Sequence, residues 1–118
     1  MIIIISSNHL PDDERIYHRQ IKSLAVEKNK ILYITRSSSN LNLTNKFINH
    51  KNFDLLLPRF IEVCKRLIKE ENSIDYLQIH ETNLLPLIKF IKLSRSSVKT
   101  IYDVHEDMDS LYRTFSER

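Results

Sequence analysis

The stretch 1-MIIIISSNHLPDDERIYHRQIKSLAVEKNKILYIT-35 decides the fold. Ile2 to Ser6 is an unbroken, mostly β-branched run, the pattern of a strand buried on both faces of a parallel sheet. Asp12, Asp13 and Glu14 follow a proline-containing loop and suit a helix N-terminus, by capping and by the macrodipole. The spacing of Tyr17, Ile21, Leu24 and Ala25 predicts a helix from about Asp13 to Lys28. Ile31 to Thr35 then reads as a second strand, so the chain opens with a strand-helix-strand unit.

The same alternation continues. Residues 36–46 are polar and rich in Ser and Asn and read as a loop, with 37-SSSN-40 as its mobile stretch, and Phe47 and Ile48 read as a short edge strand. Pro58 opens a helix to about Glu71, with Phe60, Ile61, Cys64, Leu67 and Ile68 as its core stripe. Asp75 to His80 is a strand, and Thr82 or Asn83 caps a helix through about Leu93. Val98 to Val104 is a strand, with a further helix starting near Asp107. Such an order implies an α/β, Rossmann-like open parallel sheet with helices on both faces, occupying residues 1–118 as a single domain. Doubly wound sheets usually carry more strands, so the expectation is an incomplete one.

Composition removes several function classes. The chain has 118 residues and no glycine, where average usage of about 7% gives roughly eight. Dinucleotide fingerprints and P-loops need glycine backbone and are excluded. The net charge of +3 is too small an excess to indicate nucleic acid, and none is expected as a partner. The single cysteine excludes an internal disulfide and fits a reducing compartment. Met1 and the isoleucines after it are too short an apolar run for a signal peptide or membrane span, so the expected location is the cytoplasm.

Open α/β sheets bind ligands beyond the carboxyl ends of their strands. His9, His80 and His105 each fall at such an exit. His105 lies between Asp103 and Glu106, and a carboxylate beside an imidazole orients it and raises its pKa, as acid–base work or hydroxyl binding requires. A capping role at a strand-to-helix turn accounts for the same spacing; His80 with Glu81 is a second candidate, and His9 is either a functional residue or a loop histidine bonded to backbone. His18 and His50 read as surface positions. Arg15 and Arg19 share a helix face and either meet an anionic or hydroxyl-rich ligand or pair with nearby acids; the spacing alone favours pairing. A metal site built from His80, His105, Glu106, Asp107 and Asp109 lacks ligand spacing, and the dipole explains acids at a helix start, so no metal is expected. The segment 84-LLPLIKFIKLSR-95 is basic and very apolar; it either packs on the sheet with snorkelling lysines, the preferred reading, or makes peripheral contact with the inner face of an anionic membrane.

Taken together, these motifs resemble the opening of family 4 glycosyltransferases with the GT-B fold. Bacterial members acting on cell-surface polysaccharide often begin with a strand, then H-x-x-x-D-x-R-I, then a helix ending in S-L-A; His9, Asp13, Arg15, Ile16, Ser23, Leu24 and Ala25 stand at those places. The stretches 75-DYLQIHETNLLPLI-88 and 100-TIYDVHED-107 resemble two later strand exits of the family. Where most relatives have a glycine after the first helix, this chain has Lys28 and Asn29.

The resemblance implies the N-terminal, acceptor-side domain of a retaining, metal-independent enzyme that moves a sugar from a nucleotide-sugar to a polysaccharide or lipid-linked acceptor. It places catalysis at His105 and substrate binding at His9, Asp13, Arg15, His80, Glu81 and Glu106. The nucleotide-sugar is a co-substrate held by a C-terminal domain that these residues do not include, so the chain alone is expected to be inactive and to self-associate through the exposed docking face. A non-catalytic partner of a split transferase is the alternative. A receiver module fails for want of a lysine after the last strand.

Overall fold

In a computed structural model, which describes residues 1–8, 14–27 and 29–103 (without the side chains at positions 14, 15, 18, 19, 25 and 26), five parallel strands form one sheet. They are β1 (Ile2–Ser6), β2 (Ile31–Arg36), β3 (Ile48–Phe53), β4 (Tyr76–Ile79) and β5 (Lys99–Tyr102), in the spatial order β3-β2-β1-β4-β5. This is the doubly wound Rossmann-like arrangement expected from the alternation.

β1 lies at the centre because every one of its residues is buried. Its side chains alternate between two cores, as strand geometry requires. Ile3 and Ile5 pack in the layer that holds α2 (Leu57–Glu70) and α3 (Leu85–Ser94), against Phe60, Cys64, Ile68, Leu87 and Ile91. Ile2 and Ile4 face the opposite layer with Ile16, Ile21 and Tyr33. Burying one such isoleucine is worth about 1.5–3 kcal/mol, so the run contributes to both cores at once.

The first helix is not one regular α-helix. Glu14–Ile21 is π-helical and leads into α1 (Lys22–Val26). The missing glycines are absorbed at the helix ends. Asn29 closes α1 by donating both its backbone N–H and its side-chain amide to the Leu24 carbonyl, at 3.3 and 3.2 Å. The residues after α2 and α3, Glu71 and Arg95, have φ of −86° and −146°, so neither helix needs a left-handed cap. Thr82 and Asn83 do not cap α3 as expected: a 3-10 turn, Thr82–Leu84, precedes it, and neither this turn nor α3 has a side-chain cap.

The largest difference from the sequence reading lies at β3. Phe47 and Ile48 suggested a brief edge strand, but pairing with β2 runs from Ile48 to Phe53. Edge strands tolerate polar residues, so INHKNF carries little apolar signal. His50, expected at the surface, is instead 6% exposed and stacks on Tyr33 with ring centroids 5.1 Å apart. Its Nδ1 accepts the Leu43 backbone N–H at 3.0 Å, so the ring proton is on Nε2, which donates to Thr35 Oγ1 at 2.8 Å. Burial holds this imidazole below its ordinary pKa. Among the described residues no helix is long and apolar enough to cross a membrane.

Candidate functional site at the strand-order switch

β1 and β4 are neighbours, yet the chain leaves β1 toward β2 and leaves β4 toward β5. Connections that diverge in this way open a crevice beyond the strand ends, where ligands of such sheets bind. Ser6 and Ser7 stand at the exit of β1, and His80 and Glu81 at the exit of β4.

Glu81 joins the two exits. Its carboxylate accepts the Ser7 backbone N–H at 2.6 Å and the Ser6 hydroxyl at 3.0 Å. Ser7 Oγ lies 3.2 Å from the same carboxylate and 2.6 Å from Asn83 Oδ1. A hydroxyl has a single proton, and the shorter contact assigns it to Asn83. The Glu81 carbonyl also accepts the Leu84 N–H at 3.1 Å, closing the turn before α3. Glu81 and both serines are buried. A buried carboxylate with charge-assisted bonds to backbone and hydroxyl groups fixes the shape of both strand exits.

A second polar chain runs beneath this one. Gln78 donates one amide proton to Gln20 Oε1 at 2.8 Å and has the other directed at His80 Nε2, 3.1 Å away. An amide nitrogen only donates, so His80 Nε2 accepts and the ring proton lies on Nδ1. Gln20 in turn donates to the Asp103 carboxylate, whose residue is fixed where β5 ends by a backbone bond to Ile79, 3.0 Å long. His80 is fully buried. It is joined to a relay that reaches from the first helix to the end of β5.

Arg36 ties the exit of β1 to its surroundings. Nε donates to the Leu55 carbonyl at 2.7 Å and Nη1 to the Ser7 carbonyl at 3.3 Å. The end of β2, the segment before α2 and the exit of β1 are thereby linked through one guanidinium.

Of the residues singled out in the sequence, His80 and Glu81 come together with the β1 exit, as buried members of its polar framework. Arg15 lies on the π-helical segment. His9, Asp13, His105 and Glu106 lie outside the described residues, as does the helix expected near Asp107. Ser6, Ser7, Gln20, Arg36, Gln78 and Asn83 enter the framework without having been marked as site residues, and Asp103, read as a neighbour of His105, enters it through Gln20. One signal was available: Gln78 interrupts an otherwise apolar strand, and a polar side chain inside such a run needs a partner. Among the described residues no group of three or more His, Cys, Asp or Glu could hold a metal ion. No known protein-family model matches the chain, and no curated protein or solved structure is detectably similar to it.

Proposed function

We propose that the chain is the acceptor-side domain of a retaining, nucleotide-sugar-dependent glycosyltransferase of family 4, acting on a polysaccharide or lipid-linked acceptor. The observation that carries this reading is the polar framework at the strand-order switch, Ser6, Ser7, His80, Glu81 and Asn83, in a sheet of order β3-β2-β1-β4-β5. It lies at the strand exits where the motif resemblance puts the transfer site. In this reading His105 touches the transferred sugar, His9, Asp13, Arg15 and Glu106 meet substrate, and His80 and Glu81 hold the loops that carry them. A chain without glycine has no glycine-rich phosphate loop, and in this reading the donor phosphates are held by a second, donor-binding domain or partner chain. The reaction needs no metal in this reading, and the enzyme works in the cytoplasm.

The outer surface of α3 supports contact with an anionic membrane, where a lipid-linked acceptor would be met. Leu87 and Ile91 are buried, while Leu85 and Leu93 are 44% and 80% exposed beside Lys89 and Lys92. The alternative, a non-catalytic partner subunit, shares the same framework but needs no chemistry at His105.

Transfer from a radiolabelled nucleotide-sugar to membrane extract, by the chain joined to a donor-binding domain, tests the reading. His105→Ala should lower turnover by about 10²–10⁴-fold, the usual contribution of a general acid or base, and leave the unfolding midpoint unchanged. Unchanged transfer by the variant would favour the partner-subunit reading. Equal loss of turnover and stability would return His105 to a capping role.

A further inference from the structure

A second candidate site lies across β2 from the switch, between loop 37–42 and the end of β3. It is a cleft of about 350 Å³. Ser38, Asn40, Asn42, Asn52 and Asp54 line it, with Leu41 as the apolar contribution.

The walls are held in place. Asn52 donates to the carbonyls of Ser37 and Ser39 at 3.0 and 2.9 Å, while its Oδ1 accepts from Thr35 Oγ1 and Ser37 Oγ at 2.7 and 2.9 Å. All four hydrogen-bonding positions of the Asn52 amide are thus used to fasten the loop to the sheet. His50 adds the bond from Leu43. Ser38, Asn40 and Asp54, by contrast, make no side-chain hydrogen bond among the described residues and are exposed. The cleft therefore has a fixed scaffold and several uncommitted donors and acceptors around its opening.

Their chemistry selects the ligand class. The lining contains no Lys or Arg, which disfavours a phosphate or carboxylate ligand. It contains one carboxylate, Asp54, too few hard ligands for a divalent cation. What remains is a set of amides, hydroxyls and one carboxylate, with the His50 imidazole engaged at both nitrogens by Leu43 and Thr35, and it is matched to the vicinal hydroxyls of a neutral polyol. Leu41, 40% exposed, offers an apolar surface for the C–H face of a ring. The volume lies at the small end of ligand pockets and accommodates about one monosaccharide unit.

We propose that this cleft binds a neutral polyhydroxylated ligand of monosaccharide size, with Asp54 and Asn40 as its principal hydrogen-bonding partners. The site is independent of the transferase reading, since it requires neither His105 nor a nucleotide-sugar.

The test is a titration of the ¹⁵N-labelled 118-residue chain with methyl α-glucopyranoside, followed by amide chemical shifts. Saturable shifts should cluster at positions 38–42 and 52–54, and glucose 6-phosphate should bind more weakly because its charge faces Asp54. Asp54→Ala should weaken binding by about tenfold, as expected for loss of a hydrogen bond to a charged group, with the rest of the spectrum unchanged. Asn40→Ala gives an independent check at a second exposed position. Shifts confined to Ser6, Ser7 and Glu81, no saturable shift, or tighter binding of the phosphorylated sugar would each overturn the proposal.

Discussion

His50→Phe tests how the loop between β2 and β3 is held. Phenylalanine keeps an aromatic ring against Tyr33 but removes both ring nitrogens, so the Leu43 N–H loses its acceptor and Thr35 loses a partner. An orphaned buried donor costs about 1–3 kcal/mol and a lost neutral hydrogen bond about 1 kcal/mol. Leu43 is only half-buried and regains water when the loop opens, which places the total near the lower end, at about 2 kcal/mol. For a chain of this size that is a fall of about 8 °C in Tm. The pH dependence is sharper. Burial lowers the folded-state pKa of His50 below the unfolded value of about 6.5. Between those two values the unfolded chain binds a proton that the folded chain refuses, so stability falls with falling pH in that window. The His50 contribution is complete above about pH 6.5 and is lost as pH drops toward the folded pKa. A protonated Nδ1 would also present a second donor to the Leu43 N–H. Urea unfolding of wild type and H50F should therefore differ by a constant amount above about pH 6.5, and the gap should narrow below it. A gap that stays constant or widens on acidification would refute the assigned tautomer and its role.

Three further outcomes follow from the same geometry. Glu81→Ala leaves the buried Ser7 N–H without its acceptor and should cost about 1–3 kcal/mol in urea unfolding, whereas Glu81→Gln keeps a carbonyl acceptor and should cost less; equal losses would show that the contact contributes little. Cys64 is buried on α2, and burial pushes its thiol up to about 12, so it should resist a thiol reagent at about pH 8 until denaturant is added; rapid labelling of the native chain would contradict its place in the core. Lys89→Gln with Lys92→Gln should weaken co-sedimentation with phosphatidylglycerol vesicles by about 30-fold, at about 1 kcal/mol for each lysine near an anionic surface; wild-type binding no stronger than to neutral vesicles would remove the membrane reading of α3.

The parts of the fold that were legible are those written in local periodicity. The isoleucine run of β1 declares a two-faced strand because each neighbour along the chain is apolar, and the stripe of Phe60, Cys64 and Ile68 declares a helix because its period is local too. β3 escapes the same reading, since its residues are specified by one neighbour, β2, and by polar partners such as Thr35 and Asn45. Absence of glycine was visible at once, but its consequence was not: the described helices end with negative φ or through Asn29, so the composition reflects how the chain stops its helices.

The candidate site obeys a different logic. Strand exits can be located from sequence, and that rule brought His80 and Glu81 forward, as did the motif resemblance. What Glu81 does there depends on Ser6 and Ser7, 75 and 74 positions away, and Gln20 meets Asp103 across 83. Nothing in the residues around Glu81 distinguishes a carboxylate aimed at solvent from one folded under a neighbouring strand. Parallel pairing of β1 with β4 settles the matter, because Ile5 opposite Ile79 brings the next residues of each strand to the same edge. The side chains that join the two strand exits are thus selected by sheet order. A histidine or glutamate at a strand exit then becomes interpretable only after the strand beside it is known.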